Sequence, residues 1–202
     1  MNLPNKLTLI RILLVPILLL VLVVRIDGVP SWATQVVAAV VFLGASITDL
    51  FDGKIARRRG LITDFGKFMD PLADKFLVFA ALLGILYRFD GSELGFDDLR
   101  PVFIWAAAIV VFRELAVTSL RLVISGKDGI VLAASMLGKI KTTTQMICIS
   151  TILLEPVIFG WFVPFGEWHI LTYLTIALMT VMTLWSGIDY VTKYWKYIDP
   201  NN

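Results

Sequence analysis

Residues 49–74 read Asp49-Leu50-Phe51-Asp52-Gly53-Lys54-Ile55-Ala56-Arg57-Arg58-Arg59-Gly60-Leu61-Ile62-Thr63-Asp64-Phe65-Gly66-Lys67-Phe68-Met69-Asp70-Pro71-Leu72-Ala73-Asp74. Long apolar runs flank this stretch on both sides, so its acids stand where a greasy segment meets water. On a helix, Asp49, Asp52, Gly53 and Ala56 fall at i, i+3, i+4 and i+7 and share one face. Gly66, Asp70 and Asp74 fall at i, i+4 and i+8 and share another. Two helix ends joined by a short basic turn thereby aim four carboxylates, Asp49, Asp52, Asp70 and Asp74, at one volume. Acids so placed repel one another unless a cation neutralises them. Ionisable groups at membrane depth carry function and need a partner. Carboxylate oxygens with no His or Cys nearby suit hard divalent cations such as Mg²⁺ or Mn²⁺. Asp64, in the turn, reads as a solvated acid at the membrane edge.

The small residues on these faces have two readings. Gly53, Ala56 and Gly66 leave room for a bulky group against the backbone, and they equally suit close helix packing. Arg57, one turn past Gly53, is placed for a phosphate or for one of the aspartates. Arg58 and Arg59 suit anionic lipid headgroups.

The rest of the chain supplies the solvent. Of 202 residues, 58% are hydrophobic and 17% charged. A soluble domain carries roughly half apolar and a quarter charged residues, so there is too little polar surface here to cover a water-soluble globule. A helix needs about 20 apolar residues to cross some 30 Å of hydrocarbon. Six segments meet that test, near Leu7–Val24, Trp32–Leu50, Phe68–Tyr87, Pro101–Ile124, Gly138–Leu154 and His169–Tyr190. The expected fold is all-α: one membrane-embedded catalytic domain over residues 1–202, built as a bundle of six transmembrane helices. The opening apolar run lacks a small-residue cleavage site and is read as the first span, not a signal peptide. A net charge of +2 gives no footprint for nucleic acid. The single cysteine, Cys148, forms no intrachain disulfide.

Basic residues orient the bundle, because cytoplasmic loops hold most Lys and Arg. With the N-terminus inside, that side takes Lys6, Arg11, Lys54, Arg57, Arg58, Arg59, Lys67, Arg121, Lys127, Lys139, Lys141, Lys193 and Lys196. The outer loops keep Arg25, Arg88 and Arg100, along with acids that include Glu155. Both termini and the aspartates are therefore expected at the cytoplasmic face of the inner membrane. Lys75 and Arg113 remain inside spans.

The pattern Asp49-x-x-Asp52-Gly53-x-x-Ala56-Arg57, eight residues, then Gly66-x-x-x-Asp70-x-x-x-Asp74 resembles the full signature of the CDP-alcohol phosphotransferases, with no position missing. The resemblance implies that Asp49, Asp52, Asp70 and Asp74 hold two divalent cations, Mg²⁺ or Mn²⁺. It implies that Gly53, Ala56, Arg57 and Gly66 line the CDP site, with Thr63 also touching the nucleotide. Asp74 would be the general base. It implies a six-span helical fold, found as a homodimer. The metals would bridge a pyrophosphate and improve CMP as a leaving group, while Asp74 takes the proton of an attacking hydroxyl. His169, near the opposite face, is too far away for that role and reads as structural.

The acceptor is read from other segments. Asn2-Leu3-Pro4-Asn5-Lys6-Leu7-Thr8-Leu9-Ile10-Arg11 resembles the start of the bacterial phosphatidylglycerophosphate synthases within that family. So do Arg113-Glu114-Leu115-Ala116, Leu120-Arg121 and Gly138-Lys139-Ile140-Lys141-Thr142-Thr143-Thr144-Gln145. By resemblance the donor is CDP-diacylglycerol and the acceptor sn-glycerol 3-phosphate. A phosphorylated acceptor approaching acids needs fixed cations, and Arg113, Arg121, Lys139 and Lys141 supply them. An Arg at mid-membrane costs at least ~2.5 kcal/mol on insertion scales, so Arg113 needs a purpose. A salt bridge to another span is its alternative; the adjacent Glu114 is a poor partner, because i,i+1 side chains diverge. Positive-inside loop charge is the alternative for Lys139 and Lys141. Asn5 and Thr8 approach the nucleotide or donor headgroup, though Asn5 equally suits a helix cap. Trp161, Trp168, Trp185, Tyr190, Tyr194 and Trp195 look like interfacial belts.

Two other readings compete. The same chemistry with another acceptor gives a cardiolipin or phosphatidylserine synthase, and serine fits the Arg113, Lys139 and Lys141 set poorly because it has no phosphate. A divalent-cation transporter would place its acids near the midplane among repeats, and neither feature is present here.

Overall fold

The computed structural model describes residues 3–59, 64–88, 99–128, 135–159 and 169–195; of residues 3, 4, 49–59, 64, 65, 67, 68 and 125–128 it describes the backbone alone. Among the described residues there are six helices and no strands: α1 Leu3–Val23, α2 Ser31–Arg59, α3 Asp64–Arg88, α4 Arg100–Asp128, α5 Met136–Phe159 and α6 Ile170–Tyr194. Each begins or ends beyond its apolar segment. Most telling, α2 does not stop at Leu50 but continues to Arg59, and α3 begins at Asp64. Both acidic arms therefore lie on helices, as their i, i+3 and i+4 spacing requires.

Polarity is arranged for lipid. Phe112, Trp105 and Leu122 are 76%, 71% and 71% exposed, while Arg11, Thr172, Thr183 and Ser186 are buried. Apolar groups outside and polar groups inside suit a solvent that cannot hydrogen-bond. Five helices, all but α3, are long and apolar enough to cross a bilayer. The count of six helices among the described residues matches the expectation. Asp70, Asp74 and Lys75 fall within the 25 residues of α3, and their charge breaks the apolar run. The chain is a multi-pass membrane protein.

Neighbouring helices form a closed ring in the order α1, α2, α5, α6, α4, α3. Thr8 meets Asp70 at one end of α1, and Leu22 meets Arg88 at the other, so α1 and α3 run parallel. Gln145 with Thr183, and Glu155 with Thr172, set α5 and α6 antiparallel. The start of α3, the second half of α4, the start of α5 and the end of α6 thus gather at the end of the bundle where α1 begins.

The α1–α3 seam is tight because Gly84 has no side chain. A Cβ there would lie 2.7 Å from Leu22 Cβ and 2.6 Å from its Cδ1. Gly84→Ala is expected to force the helices apart, at an overpacking cost of about 1–3 kcal/mol. A lower thermal midpoint in detergent is the expected reading, and an unchanged one would contradict this close approach.

Two charges assigned to outer loops are instead buried caps. Arg88 Nε donates to the Leu22 carbonyl at 3.0 Å, satisfying a last-turn oxygen of α1 that has no helical donor. Glu155, inside α5, accepts from the N–H groups of Leu171 and Thr172 at 3.2 and 2.8 Å, and from the Thr172 hydroxyl. An acid at a helix N-terminus also meets the positive end of its dipole. The left-handed His169 (φ 42°) offers α6 no side-chain cap, so Glu155 supplies that function from the neighbouring helix.

Candidate active site

The acids come first. Asp70 and Asp74 lie one turn apart on α3, both half-buried. Thr8, buried on α1, donates its hydroxyl to Asp70 Oδ1 at 2.6 Å, which fixes that carboxylate's rotamer. The α1–α3 pairing that makes this contact is the one Gly84 permits further along. Asn5, one turn before Thr8, is half-buried, and Gly66 is buried one turn before Asp70. Asp49, Asp52, Gly53, Ala56 and Arg57 lie on the last turns of α2, with side chains outside the described residues; Thr63 is outside them altogether. The described acids fit a hard cation: their donors are carboxylate oxygens, partly desolvated, with one oriented by a hydroxyl.

A cationic cluster faces them. On α4, Glu114 accepts from Arg113 Nη1 at 3.1 Å and from Lys141 Nζ of α5. Arg113 Nη2 continues to Ser186 Oγ of α6 at 2.6 Å. The Glu114 main-chain carbonyl accepts the Thr118 hydroxyl at 2.7 Å, and Thr118 in turn accepts from Lys75 Nζ of α3. One run of polar contacts therefore joins α3, α4, α5 and α6 and closes the ring at its sparsest seam, between α3 and α4. Lys75 directly follows Asp74 on α3, so its contact with Thr118 brings the aspartate helix against the cation-bearing α4. The aspartate helix and the cations thus share one volume.

The adjacent Glu114, discounted from spacing alone, is the partner of Arg113 after all. Neighbouring Cβ atoms do diverge, but the long Arg113 stem is free to bend. It runs past Gly187, where a Cβ would stand 3.2 Å from Arg113 Cγ, and this opening lets the guanidinium reach both Glu114 and Ser186. Lys141 is not loop charge either: it is buried and ion-paired. Lys139 is exposed and stands apart from the network, as a residue two positions away on a helix must. Arg121 is exposed, with its guanidinium 5.5 Å from the centre of the Tyr190 ring. Tyr190 is only 3% exposed, so it is no belt residue but the floor beneath Arg121.

Spacing did not reveal Lys75, Glu114, Thr118 or Ser186 as members of the cluster. Two of them carried a usable signal, since Lys75 and Glu114 are ionisable groups inside apolar spans. Thr118 and Ser186 carried none.

A family model described as CDP-alcohol phosphatidyltransferase matches residues 1–185. The CDP-diacylglycerol--glycerol-3-phosphate 3-phosphatidyltransferase of Bacillus subtilis (strain 168) is 40% identical over 211 residues, covering 100% of this chain and 99% of that protein. The probable phosphatidylglycerophosphate synthase of Mycobacterium tuberculosis (strain ATCC 25618 / H37Rv) is 38% identical over 192 residues, 95% of this chain and 81% of its own. The CDP-diacylglycerol--glycerol-3-phosphate 3-phosphatidyltransferase of Escherichia coli (strain K12) is 34% identical over 196 residues, 95% and 93% of the two chains. With the signature intact from Asp49 to Asp74 and a match over nearly its whole length, the chain belongs to the CDP-alcohol phosphatidyltransferase family.

Proposed function

We propose that the chain transfers a phosphatidyl group from CDP-diacylglycerol to sn-glycerol 3-phosphate, giving phosphatidylglycerophosphate and CMP. The observation that carries this reading is the run of polar contacts from Lys75, which follows Asp74 on α3, through Thr118 to the Arg113–Glu114–Lys141 cluster. Names of the full-length relatives point to the same donor and acceptor.

Asp49, Asp52, Asp70 and Asp74 would hold two divalent cations, Mg²⁺ or Mn²⁺, which when bound neutralise pyrophosphate oxygens. Thr8 keeps Asp70 oriented for that task. Gly53, Ala56, Arg57, Thr63, Gly66 and Asn5 line the CDP-lipid side. The exposed Arg121 and Lys139 draw in the acceptor phosphate and Arg113 and Lys141 hold it, which leaves the acceptor's free hydroxyl toward Asp74. Asp74 takes the hydroxyl proton as the oxygen attacks the lipid-side phosphorus; that oxygen–phosphorus bond forms, the bond to CMP breaks, and CMP departs with the electron pair. In this reading the whole chain is one catalytic domain working as a homodimer, its site and both termini on the cytoplasmic side of the inner membrane.

The test is protein purified in detergent with CDP-diacylglycerol and Mg²⁺ or Mn²⁺, offered acceptors one at a time while CMP release is followed. Release is expected with glycerol 3-phosphate and not with serine or inositol. Release with phosphatidylglycerol alone would make the chain a cardiolipin-forming enzyme and sink the acceptor assignment.

A further inference from the structure

We infer that Glu114 is a positioning residue of the acceptor site: it holds Arg113 and Lys141 at fixed separation, ready for an acceptor phosphate. The inference rests on the function proposed above and names how its acceptor subsite is built. Arg113 and Lys141 come from different helices, and two cations left to themselves in a low-dielectric interior repel each other apart. Glu114 Oε1 accepts from both at once, so a single oxygen sets their spacing. The Glu114 side chain is 10% exposed, those of Arg113 and Lys141 11% and 6%, so water does little to screen the arrangement. The same residue's main-chain carbonyl anchors Thr118, and through it Lys75 beside Asp74. Glu114 thus ties the phosphate-binding side of the site to the helix that carries the base.

The carboxylate does not replace the acceptor. Lys75, Arg113, Lys141 and the nearby Arg121 stand against two acids, Glu114 and Asp74, so the cluster keeps an excess of positive charge for a phosphate. Glu114 fixes geometry and leaves the attraction in place.

Glu114→Gln and Glu114→Asp are measured beside the wild type in detergent, with KM for glycerol 3-phosphate, KM for CDP-diacylglycerol and the thermal midpoint as readouts. Losing charge-assisted hydrogen bonds is expected to raise the acceptor KM about tenfold or more in Glu114→Gln, with the donor KM within about twofold. Glu114→Asp keeps the charge, shortens the reach and falls between. An unchanged acceptor KM in both variants overturns the inference. So do acceptor and donor KM values that rise together with a lowered midpoint, because that marks a purely structural role. Should Glu114→Gln fail to fold, Glu114→Asp decides by the same split. If the wild type turns over a different acceptor in the panel above, the comparison is repeated with that acceptor, which separates an error in acceptor identity from an error about Glu114.

Discussion

Asp74→Asn is expected to cut CMP release by at least a hundredfold, within the roughly 10²–10⁴-fold range for loss of a general base. The substitution preserves shape and removes only the ability to take a proton and to carry charge. Asp74 is half-buried on α3 and lies roughly 15 Å along it from Asp64, at about 1.5 Å per residue. Asp70, one turn away, does not take over, because Thr8 already donates to it and fixes its carboxylate. Binding of CDP-lipid should survive, since the other three proposed metal-holding acids, Asp49, Asp52 and Asp70, are unchanged. The measurements are single-turnover CMP release and binding of a labelled CDP-lipid to the same preparation. A variant that keeps more than a tenth of the wild-type rate would sink the assignment of the base.

The second large effect is expected at Arg113. Its guanidinium bridges Glu114 on α4 and Ser186 on α6, and Ala removes both contacts along with a partly buried charge. Lost hydrogen bonds to a charged group are worth about 1.5–3 kcal/mol each, so KM for glycerol 3-phosphate should rise by about ten- to a hundredfold. The donor KM should stay close to that of the wild type. Arg113→Lys should not restore the acceptor KM, because one ammonium nitrogen lacks the two spread Nη donors that reach Glu114 and Ser186 separately. If Arg113→Ala leaves the apparent affinity for glycerol 3-phosphate unchanged, Arg113 is a strut between α4 and α6 and nothing more.

Much of the candidate site was legible before any tertiary contact was known. Asp49, Asp52, Asp70 and Asp74 declare themselves because helix periodicity is local: residues three and four apart share a face in any helix, whatever packs against it. The apolar lengths declare the bilayer for a similar reason, since the hydrocarbon thickness sets the number of residues needed. Arg113 declares itself through the cost of placing it mid-membrane, which demands some compensation. The partner that compensates it was not legible.

Sequence alone determined the helices, the lipid solvent, the acid-bearing faces and the membership that the signature carries. Tertiary structure decided which charges meet: Arg113 and Lys141 on one Glu114 oxygen, Thr8 on Asp70, Arg88 and Glu155 capping helices other than their own. The division has a physical cause. Register within a helix follows from backbone geometry repeating every few residues, whereas contact between helices depends on how each is rotated and how closely it approaches. Those depend on features far apart in the chain, such as a missing Cβ at Gly84 or Gly187, that no local spacing encodes.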